Sequence, residues 1–290
     1  MSEKEPAQSG HRCGLVALLG RPNAGKSTLL NTLLGEKLAI TSPRAQTTRG
    51  RLLGVLTRPG AQIVFIDTPG VNRGRSRFNL AMTETALAAA EDADLRLLLL
   101  DATASWDEPE ERVAALRSPL LLVRTKLDLG RATSVPCPER FAEILELSAH
   151  TGAGLEHFLD RALTYLPESP PLYPEDYLTD TPLRFIAAEQ VREVALELYR
   201  DEIPYGMAVE VEQWHETAED VRIRANVLVE RESQKGIVVG AQGRMLKALG
   251  SEARRRIGLF LGKTVHLNLW VKADRNWTKR PKRARELGYL

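Results

Sequence analysis

The sequence predicts an α/β domain with a mostly parallel, doubly wound sheet, followed by a small α+β domain. Over the first half of the chain, short apolar runs alternate with amphipathic stretches, which is typical of strands covered by helices on both faces. Four prolines in residues 167–174 interrupt this alternation. Beyond them the order becomes helix, two strands, two helices and a strand. With 290 residues the chain is long enough for two such domains.

The first domain is predicted to span residues 12–167. Five apolar runs predict its buried strands: Leu15–Leu19, Ile63–Ile66, Leu95–Leu100, Leu120–Val123 and Ile144–Leu147. The segment Arg51–Thr57 alternates apolar and polar residues better, which indicates an edge strand. The crossover helices are predicted over residues 27–34, 77–90, 108–117 and 154–165. Ligands of such a domain bind at the carboxyl ends of the strands.

The second domain is predicted over residues 183–274, after a Pro-rich linker at 168–182 that cannot continue a helix. Its elements are a helix over 183–200, strands at Met207–Gln213 and Val221–Val229, a helix pair around Gly240–Phe260 and a strand at Val265–Val271. Residues 275–290 form a basic C-terminal tail. Within it, Trp277 is a candidate for stacking on a nucleic-acid base, with simple packing as the alternative.

The composition restricts the classes of site and partner. The two cysteines form no C-x-x-C pair, so we expect neither a disulfide framework nor a zinc site. We expect a cytoplasmic location, where thiols stay reduced. No apolar run is long enough to span a bilayer. Residues 231–290 hold 15 basic and 4 acidic side chains, a net charge of +11. This excess favours a polyanionic partner over an ordinary solvated surface.

A phosphate-binding loop is predicted between the first strand and the first helix. Gly20-Arg-Pro-Asn-Ala-Gly-Lys-Ser27 fits G-x-x-x-x-G-K-[ST], and its position after a strand and before a helix is the one this motif requires. Backbone N–H groups of the loop would bind phosphate oxygens. Lys26 would contact the β- and γ-phosphates, and the Ser27 hydroxyl would bind Mg²⁺. A glycine-rich turn without a ligand is the alternative.

Three further motifs follow later strands of the same sheet. Asp67-Thr-Pro-Gly70 places a carboxylate where Mg²⁺ can be held directly or through water, although a simple turn has the same pattern. Thr125-Lys-Leu-Asp128 places a carboxylate where guanine N1–H and N2–H₂ can both donate to it. Adenine lacks this pair of donors, so the site would discriminate against it. Ser148-Ala149 can add a backbone N–H for guanine O6.

In this order and spacing the motifs resemble the G motifs of GTPases. By similarity to the translation-factor-related GTPases, Thr48 would close over Mg²⁺ and the γ-phosphate, with Thr47 as the neighbouring candidate and an ordinary surface threonine as the alternative. Thr125 replaces the usual asparagine; specificity should persist because Asp128 carries it.

A second departure concerns hydrolysis. Val71 stands where many GTPases have a water-orienting glutamine. In related bacterial GTPases with the same loop, the asparagine that matches Asn23 helps to hold K⁺ beside the phosphates. The resemblance therefore implies slow, potassium-stimulated hydrolysis, because such an ion can stabilise transition-state charge.

A second glycine motif lies in the basic part of the chain. Gly240-Ala-Gln-Gly243 is a G-x-x-G loop between apolar, β-like residues and a helix, and its glycines would let a nucleic-acid backbone approach closely. Lys235, Arg244 and Lys247 could contact phosphates, while Ile237 and Val238 could line a groove for bases. A helix cap is the alternative for a lone G-x-x-G. The α-β-β-α-α-β order and the +11 charge favour an RNA-binding KH domain of type II.

The combination of an N-terminal G domain with a C-terminal KH domain resembles the Era family of bacterial ribosome-assembly GTPases, from about Arg12 to Leu290. Further matching segments are Ile40–Ser42, Ala45–Arg49, Pro174–Tyr177, Leu228–Arg231, Leu269–Lys272 and Leu287–Tyr289. The resemblance implies GTP-gated binding of 16S rRNA near its 3′ end during 30S maturation, and peripheral association with the cytoplasmic face of the membrane. Gln242 stands where the family usually has lysine, which would weaken one phosphate contact and leave the geometry of the loop intact.

The predicted site residues fall into four groups. GTP-binding residues are Gly20, Arg21, Pro22, Asn23, Ala24, Gly25, Lys26, Ser27, Thr28, Asp67, Thr68, Pro69, Gly70, Val71, Thr125, Lys126, Asp128, Leu129, Ser148, Ala149 and His150. Candidate catalytic residues are Lys26, Thr48, Gly70 and Asn23, and candidate Mg²⁺ ligands are Ser27, Thr48 and Asp67. RNA-binding candidates are Lys235, Gly236, Ile237, Val238, Gly240, Ala241, Gln242, Gly243, Arg244 and Lys247.

Two rival functions are compatible with a P-loop and a basic C-terminal half. A metabolic P-loop kinase or ATPase would prefer ATP, and the Asp128 motif argues against it. A non-enzymatic interaction module, placed at a membrane by the basic tail, would not depend on Gly240 and Gly243 for RNA binding.

Overall fold

The computed structural model describes residues 10–42, 44, 47–74, 76–130 and 134–289. They divide into two compact units. The first unit takes its residues from 1–38, 48–75 and 82–180, and the second from 39–47, 76–81 and 181–290. Two short segments from the first half of the chain, 39–47 and 76–81, therefore group with the C-terminal residues.

The first unit is built on a six-stranded sheet. Its strands are β1 (Arg12–Leu19), β2 (Leu52–Arg58), β3 (Ala61–Asp67), β4 (Leu95–Asp101), β5 (Leu120–Thr125) and β6 (Glu143–Glu146). Their order is β2-β3-β1-β4-β5-β6, and every pairing is parallel except that of β2 with β3. This confirms the doubly wound sheet and the edge strand. Because β1 has β3 on one side and β4 on the other, the loop after β1 opens at the switch point where such sheets bind ligands.

The helices of this sheet are α1 (Lys26–Leu34), α2 (Arg77–Glu91), α3 (Glu108–Ala114) and α4 (Leu155–Thr164). Helix α3 starts at a capping box between Asp107 and Glu110. It ends three residues before its predicted end at residue 117. Pro119 explains the early end, because proline disfavours helical backbone in the residue before it and β5 starts directly after it.

The second unit has a three-stranded sheet covered by three helices. Its elements are α5 (Leu183–Leu198), β7 (Ala208–Glu216), β8 (Asp220–Val229), α6 (Glu232–Val239), α7 (Arg244–Leu261) and β9 (Thr264–Ala273). The sheet order is β7-β8-β9, with β7 antiparallel and β9 parallel to β8. The core consists of the inward faces of α5 and α7 against alternate strand residues. This confirms the predicted α-β-β-α-α-β order.

The prediction of β-like residues before Gly240 is wrong. Residues 232–239 form α6, whose start is capped because the Gln234 side chain accepts a hydrogen bond from the Arg231 N–H at 3.0 Å. Val238, which belongs to this helix, is completely buried. Tertiary packing has overridden the β-propensity of the branched residues.

The stacking role considered for Trp277 is also wrong. Its ring is fully buried, and the indole Nε1 donates to the Gly206 carbonyl at 2.9 Å. Residues 277–289 pack on the same unit and include a short helix, α8 (Pro281–Glu286), and the buried ring of Tyr289. In the part of the chain that the structure describes, no helix combines the length and apolarity needed to cross a membrane.

Candidate nucleotide site and RNA-binding loop

The phosphate-binding loop joins β1 to α1 and depends on two glycines. Gly20 and Gly25 have φ angles of 140° and 92°, which residues with a side chain rarely adopt. A Cβ on Gly20 would also lie 2.4 Å from the Leu99 carbonyl oxygen. The loop therefore keeps its backbone close to β4, as the predicted P-loop requires.

Lys26 is buried at the start of α1, only 5% exposed. Its Nζ donates to the carbonyl oxygens of Gly20 and Arg21, at 3.1 and 2.9 Å. Burial lowers the pKa of Lys26 to about 8, and the charge of Asp67 opposes this shift. The ammonium is thus held beneath the loop by weak neutral acceptors that phosphate oxygens can replace.

This pKa gives a pH prediction. Phosphate binding favours the protonated amine, so above pH 8 the free protein must take up a proton to bind GTP. We expect GTP affinity to be flat from pH 6.5 to 7.5 and to fall between pH 8 and 9 by up to about tenfold per unit. Equilibrium titration with a fluorescent GTP analogue measures it, and Lys26→Met should bind weakly without this dependence. An equal slope in Lys26→Met would assign the effect to another group.

Arg21 does not face the phosphate side of the loop. Its guanidinium pairs with Glu110 of α3, with Nη2 2.6 Å from Oε2. Glu110 is only 1% exposed, so this pair ties the loop to α3. Glu110 is a functional residue that the sequence analysis missed, because it lies 89 residues from Arg21 and nothing in the local pattern of its helix indicates the contact.

Three oxygen ligands converge beside the loop. The Ser27 hydroxyl lies 2.7 Å from both Thr48 Oγ1 and Asp67 Oδ2. The other candidate, Thr47, donates to the Arg44 carbonyl instead, so the structure brings Thr48 and not Thr47 to this point. Burial raises the pKa of Asp67.

The second oxygen of Asp67, Oδ1, is buried and accepts no hydrogen bond from any residue that the structure describes. Hydroxyl and carboxylate oxygens together with an orphaned acceptor fit a small hard cation such as Mg²⁺. Groups of three or more His, Cys, Asp or Glu that could hold a metal ion do not occur among the described residues.

The predicted guanine site lies at the ends of β5 and β6. The Ser148 hydroxyl donates to Asp128 Oδ1 at 2.5 Å, and this bond lowers the pKa of the Asp128 carboxyl. Asp128 and Leu129 are exposed, with Leu129 65% exposed. Lys126 is paired with Asp101, Nζ to Oδ2 2.8 Å. An ionised carboxylate is therefore held open to solvent, with an apolar side chain beside it.

Thr125 supports the loop from behind. Its buried hydroxyl donates to the Ala24 carbonyl at 2.8 Å and lies 3.3 Å from the Leu100 carbonyl. Although Thr125 replaces the usual asparagine, it still makes a hydrogen bond between the guanine motif and the phosphate-binding loop.

We expect Thr125→Val to weaken GTP binding about tenfold. The substitution keeps the shape and leaves the buried Ala24 carbonyl without this donor, at a cost of roughly 1–3 kcal/mol. Calorimetric titration with GTP measures the change, and Thr125→Ser, which retains the hydroxyl, is the control. Equal losses in both variants would show that the methyl group matters and the hydrogen bond does not.

The residues that follow Asp67 pack closely against the phosphate-binding loop. The Val71 side chain is fully buried, and its N–H donates to the Gly20 carbonyl at 3.0 Å. A Cβ on Gly70 would lie 2.5 Å from the Pro22 nitrogen. Thr68 is buried and donates to the Leu18 carbonyl, at 2.7 Å.

The remaining predicted GTP contacts differ in exposure. Asn23, Thr28 and His150 are exposed, and Ala149 is half-buried. The Ala149 carbonyl accepts from the Thr32 hydroxyl of α1 at 3.2 Å.

In the second unit, the G-x-x-G loop joins α6 to α7. Gly240, Gln242 and Gly243 all have positive φ, at 70°, 53° and 75°. A Cβ on Gly240 would lie 2.6 Å from Met245 Cγ, whereas the space around Gly243 is open. Ala241 and Gln242 are exposed. Gln242 adopts left-handed backbone without being glycine, so the loop geometry persists without the family's lysine.

Side chains around this loop divide into exposed and buried sets. Ile237 is 55% exposed, unusual for an isoleucine, and Arg244 and Lys247 are exposed. Lys235 is paired with Glu232, Nζ to Oε1 2.8 Å. Val238 is fully buried, so the expectation that it lines a groove is wrong. In the helical α6 its side chain points to the core.

Comparison with known proteins gives two domain matches and close full-length relatives. Residues 15–126 match the family "50S ribosome-binding GTPase", and residues 202–278 match the KH domain family. "GTPase Era" of Geobacter metallireducens is 45% identical, over 96% of this chain and 98% of that protein. "GTPase Era" of Nitratidesulfovibrio vulgaris is 42% identical, over 98% and 96%.

Two solved structures resemble the whole chain. An Era variant of Aquifex aeolicus bound to GDP.AlF4- has 39% identity and a TM-score of 0.88, and covers 96% of this chain and 99% of that one. A complex of Era with MgGDPNP and nucleotides 1506–1542 of 16S ribosomal RNA has 38% identity, a TM-score of 0.89 and coverages of 97% and 99%.

Proposed function

This chain belongs to the Era family of GTPases, and we propose that it is a GTP-hydrolysing switch that binds 16S rRNA near its 3′ end and acts in assembly of the 30S ribosomal subunit. The observation that carries the RNA part is the G-x-x-G loop, in which three residues with positive φ join two helices of a basic domain. The similar structure of Era in complex with nucleotides 1506–1542 of 16S ribosomal RNA supports 16S rRNA as the ligand of this loop.

The experiment is RNA binding in two nucleotide states. A labelled oligonucleotide with the 3′-terminal sequence of 16S rRNA is titrated with the full chain in GDP and in a non-hydrolysable GTP analogue. We expect tighter binding with the analogue, and an affinity that falls steeply with salt because phosphate contacts release counterions. Equal affinity in the two states would remove the switch, and equal affinity for a scrambled RNA would remove the sequence assignment.

Different residues of the site would bind the phosphates of GTP and the Mg²⁺ ion. The backbone N–H groups of the loop and Lys26 would bind the phosphates, with Lys26 exchanging the Gly20 and Arg21 carbonyls for phosphate oxygens. Ser27, Thr48 and Asp67 would hold Mg²⁺, which supplies charge neutralisation at the β- and γ-phosphates when bound. Thr48 would therefore respond to the γ-phosphate.

Guanine selectivity tests the rival class of P-loop kinases and ATPases. Competition of GTP, ATP and ITP for a fluorescent GTP analogue should rank GTP first, ITP second and ATP last. ITP lacks only the 2-amino donor to Asp128, whereas ATP lacks the donor pair. Binding of ATP as tight as that of GTP would assign the chain to the rival class.

Potassium-stimulated hydrolysis is part of the proposal. Val71 is buried, so it does not act on water, and Asn23 is exposed in the loop with φ 65°. A cation there would stabilise the charge that develops between the β- and γ-phosphates. We expect turnover to be at least about tenfold faster in K⁺ than in Na⁺ at equal ionic strength, and Asn23→Ala to lose the difference. Equal turnover in both salts would contradict this step.

Peripheral association with the cytoplasmic face of the membrane is proposed from the family resemblance alone. Sedimentation with vesicles of anionic lipid tests it, and recovery of the whole chain in the supernatant at physiological salt would reject it.

A further inference from the structure

Helix α5 contacts the segment that leads into Thr48. The described residues of this segment, 39–42, 44 and 47, are called the switch segment here. The Glu193 carboxylate accepts a hydrogen bond from the Thr41 N–H, Oε1 to N 2.7 Å. Arg192 donates to the Thr47 carbonyl, and Arg44 donates to the Tyr199 carbonyl at 2.5 Å. Residues of α5 and its C-terminal end thus bind the switch segment at three points.

Glu193 also contacts the helix that follows the G-x-x-G loop. Its second oxygen, Oε2, lies 3.0 Å from Nη1 of Arg256, on α7. The Glu193 side chain is 1% exposed. Arg256 makes two further ion pairs, with Glu252 at 2.8 Å and Glu197 at 2.6 Å. A buried carboxylate is costly unless both oxygens are paired, so Glu193 has little freedom to adopt another position.

The switch segment is continuous with the nucleotide site. Thr47, bound by Arg192, is followed directly by Thr48, whose hydroxyl lies 2.7 Å from Ser27. A chain of named contacts therefore runs from α7 through Arg256 and Glu193 to the switch segment and on to Thr48.

We propose that Glu193 is a positioning residue that couples the RNA-binding helix α7 to the switch segment, and so makes RNA affinity depend on the bound nucleotide. This inference rests on the proposed function and names the contact that carries its regulation. When GTP holds Thr48 through the γ-phosphate, Thr41 is held against Glu193, and Glu193 orients Arg256. Loss of the γ-phosphate frees Thr48. The contacts of Glu193 with Thr41 and Arg256 are then no longer held in place by the bound nucleotide.

Coupling of this kind is reciprocal. If GTP increases RNA affinity by some factor, RNA increases GTP affinity by the same factor, and factors of about 5–150 are typical. Glu193 contacts neither ligand in this scheme, so its replacement should change the factor more than either intrinsic affinity.

The test compares Glu193→Gln with the wild-type full chain. The amide can still accept from the Thr41 N–H, but its NH₂ group cannot accept from Arg256, so the contact breaks at one end. RNA affinity is measured in GDP and in the non-hydrolysable GTP analogue. We expect the ratio of the two affinities to fall to within about twofold of one, while KM for GTP without RNA changes less than about threefold.

Glu197→Gln is the matched control. Glu197 lies on the same helix and pairs with the same Arg256, but it is 44% exposed, and none of its ion pairs or side-chain hydrogen bonds with described residues involves the switch segment. In Glu197→Gln the ratio of RNA affinities with the GTP analogue and with GDP should stay at the wild-type value. If Glu193→Gln does not fold, Arg256→Gln breaks the contact from the other side. Its neighbour Arg255→Gln, which removes only the exposed pair with Glu252, is the control for that variant.

The outcomes separate the two proposals. A wild-type ratio above about five that persists in Glu193→Gln and Arg256→Gln overturns the role of Glu193 and leaves the proposed function intact. A wild-type chain that binds no RNA, or binds it equally in both states, overturns the proposed function and this inference together.

Discussion

The Asp128→Asn variant is expected to bind GTP on the order of 10³-fold more weakly than the wild type and to gain affinity for XTP. Guanine donates two hydrogen bonds to a carboxylate in the predicted pose, and hydrogen bonds to charged groups contribute about 1.5–3 kcal/mol each. An asparagine amide presents its NH₂ to one of these donors. Xanthine has a carbonyl where guanine has the 2-amino group, so it can accept from that amide.

Calorimetric titration of GTP, XTP and ATP against both proteins measures the exchange of specificity. Asp128 is exposed, and the Ser148 hydroxyl can donate to the amide oxygen, so the variant should unfold at nearly the wild-type temperature. Asp160→Asn, an exposed substitution on α4, is the control for removal of one charge. Unchanged GTP affinity would show that the base binds elsewhere, and loss of GTP without gain of XTP would show that Asp128 acts by charge alone.

The sheet and the phosphate loop could be predicted because local sequence determines them. Leu15–Leu19 is apolar throughout, and Gly20, Gly25 and Lys26 follow in fixed spacing. A parallel strand that is buried on both faces leaves this pattern regardless of what packs on it. The carboxyl ends of β3, β5 and β6 then bring distant motifs to one edge.

The preference for Thr48 over Thr47 comes from the family resemblance, because the residues themselves do not distinguish the two. Both are threonines in one polar stretch, and the difference arises from which side each faces. Thr48 reaches Ser27, while the Thr47 hydroxyl donates to Arg44 and its carbonyl accepts from Arg192, 145 residues away. Contacts over such separations leave no trace in local periodicity.

The errors around α6 have the same origin. Branched residues such as Val238 favour strands locally, whereas here the segment is a helix that packs against β9 and α7. The Val238 carbonyl accepts from the Tyr199 hydroxyl at 2.8 Å. The charged neighbours of Trp277 predict a basic tail with the indole as a candidate for base stacking. Its partners, Gly206 and Phe78, lie far away in sequence, the Phe78 ring 5.5 Å from the indole.

Gly243→Asp is expected to lower RNA affinity about 100-fold. The substitution places a carboxylate in the loop where a phosphate would approach backbone N–H groups, and loss of two such hydrogen bonds, at about 1.5 kcal/mol each, accounts for that factor. Part of any effect comes from the backbone, because φ at Gly243 is 75° and a side chain there costs roughly 1 kcal/mol of stability. RNA affinity and the unfolding temperature must therefore be measured together.

Gly262→Asp separates these two causes. Gly262 ends the same helix, α7, with φ 63° and open space around it, so it has the same backbone cost and gains the same charge. It lies about 27 Å along the helix from the loop, beyond the reach of screened surface charge at physiological salt. We expect Gly262→Asp to lose at least as much stability as Gly243→Asp, because a carboxylate is favourable at a helix N-terminus and unfavourable at its C-terminus. Only Gly243→Asp should lose RNA binding. Equal RNA affinities in the two variants would mean that the G-x-x-G loop is only a turn between helices, because charge and strain at its second glycine would then have no effect on RNA.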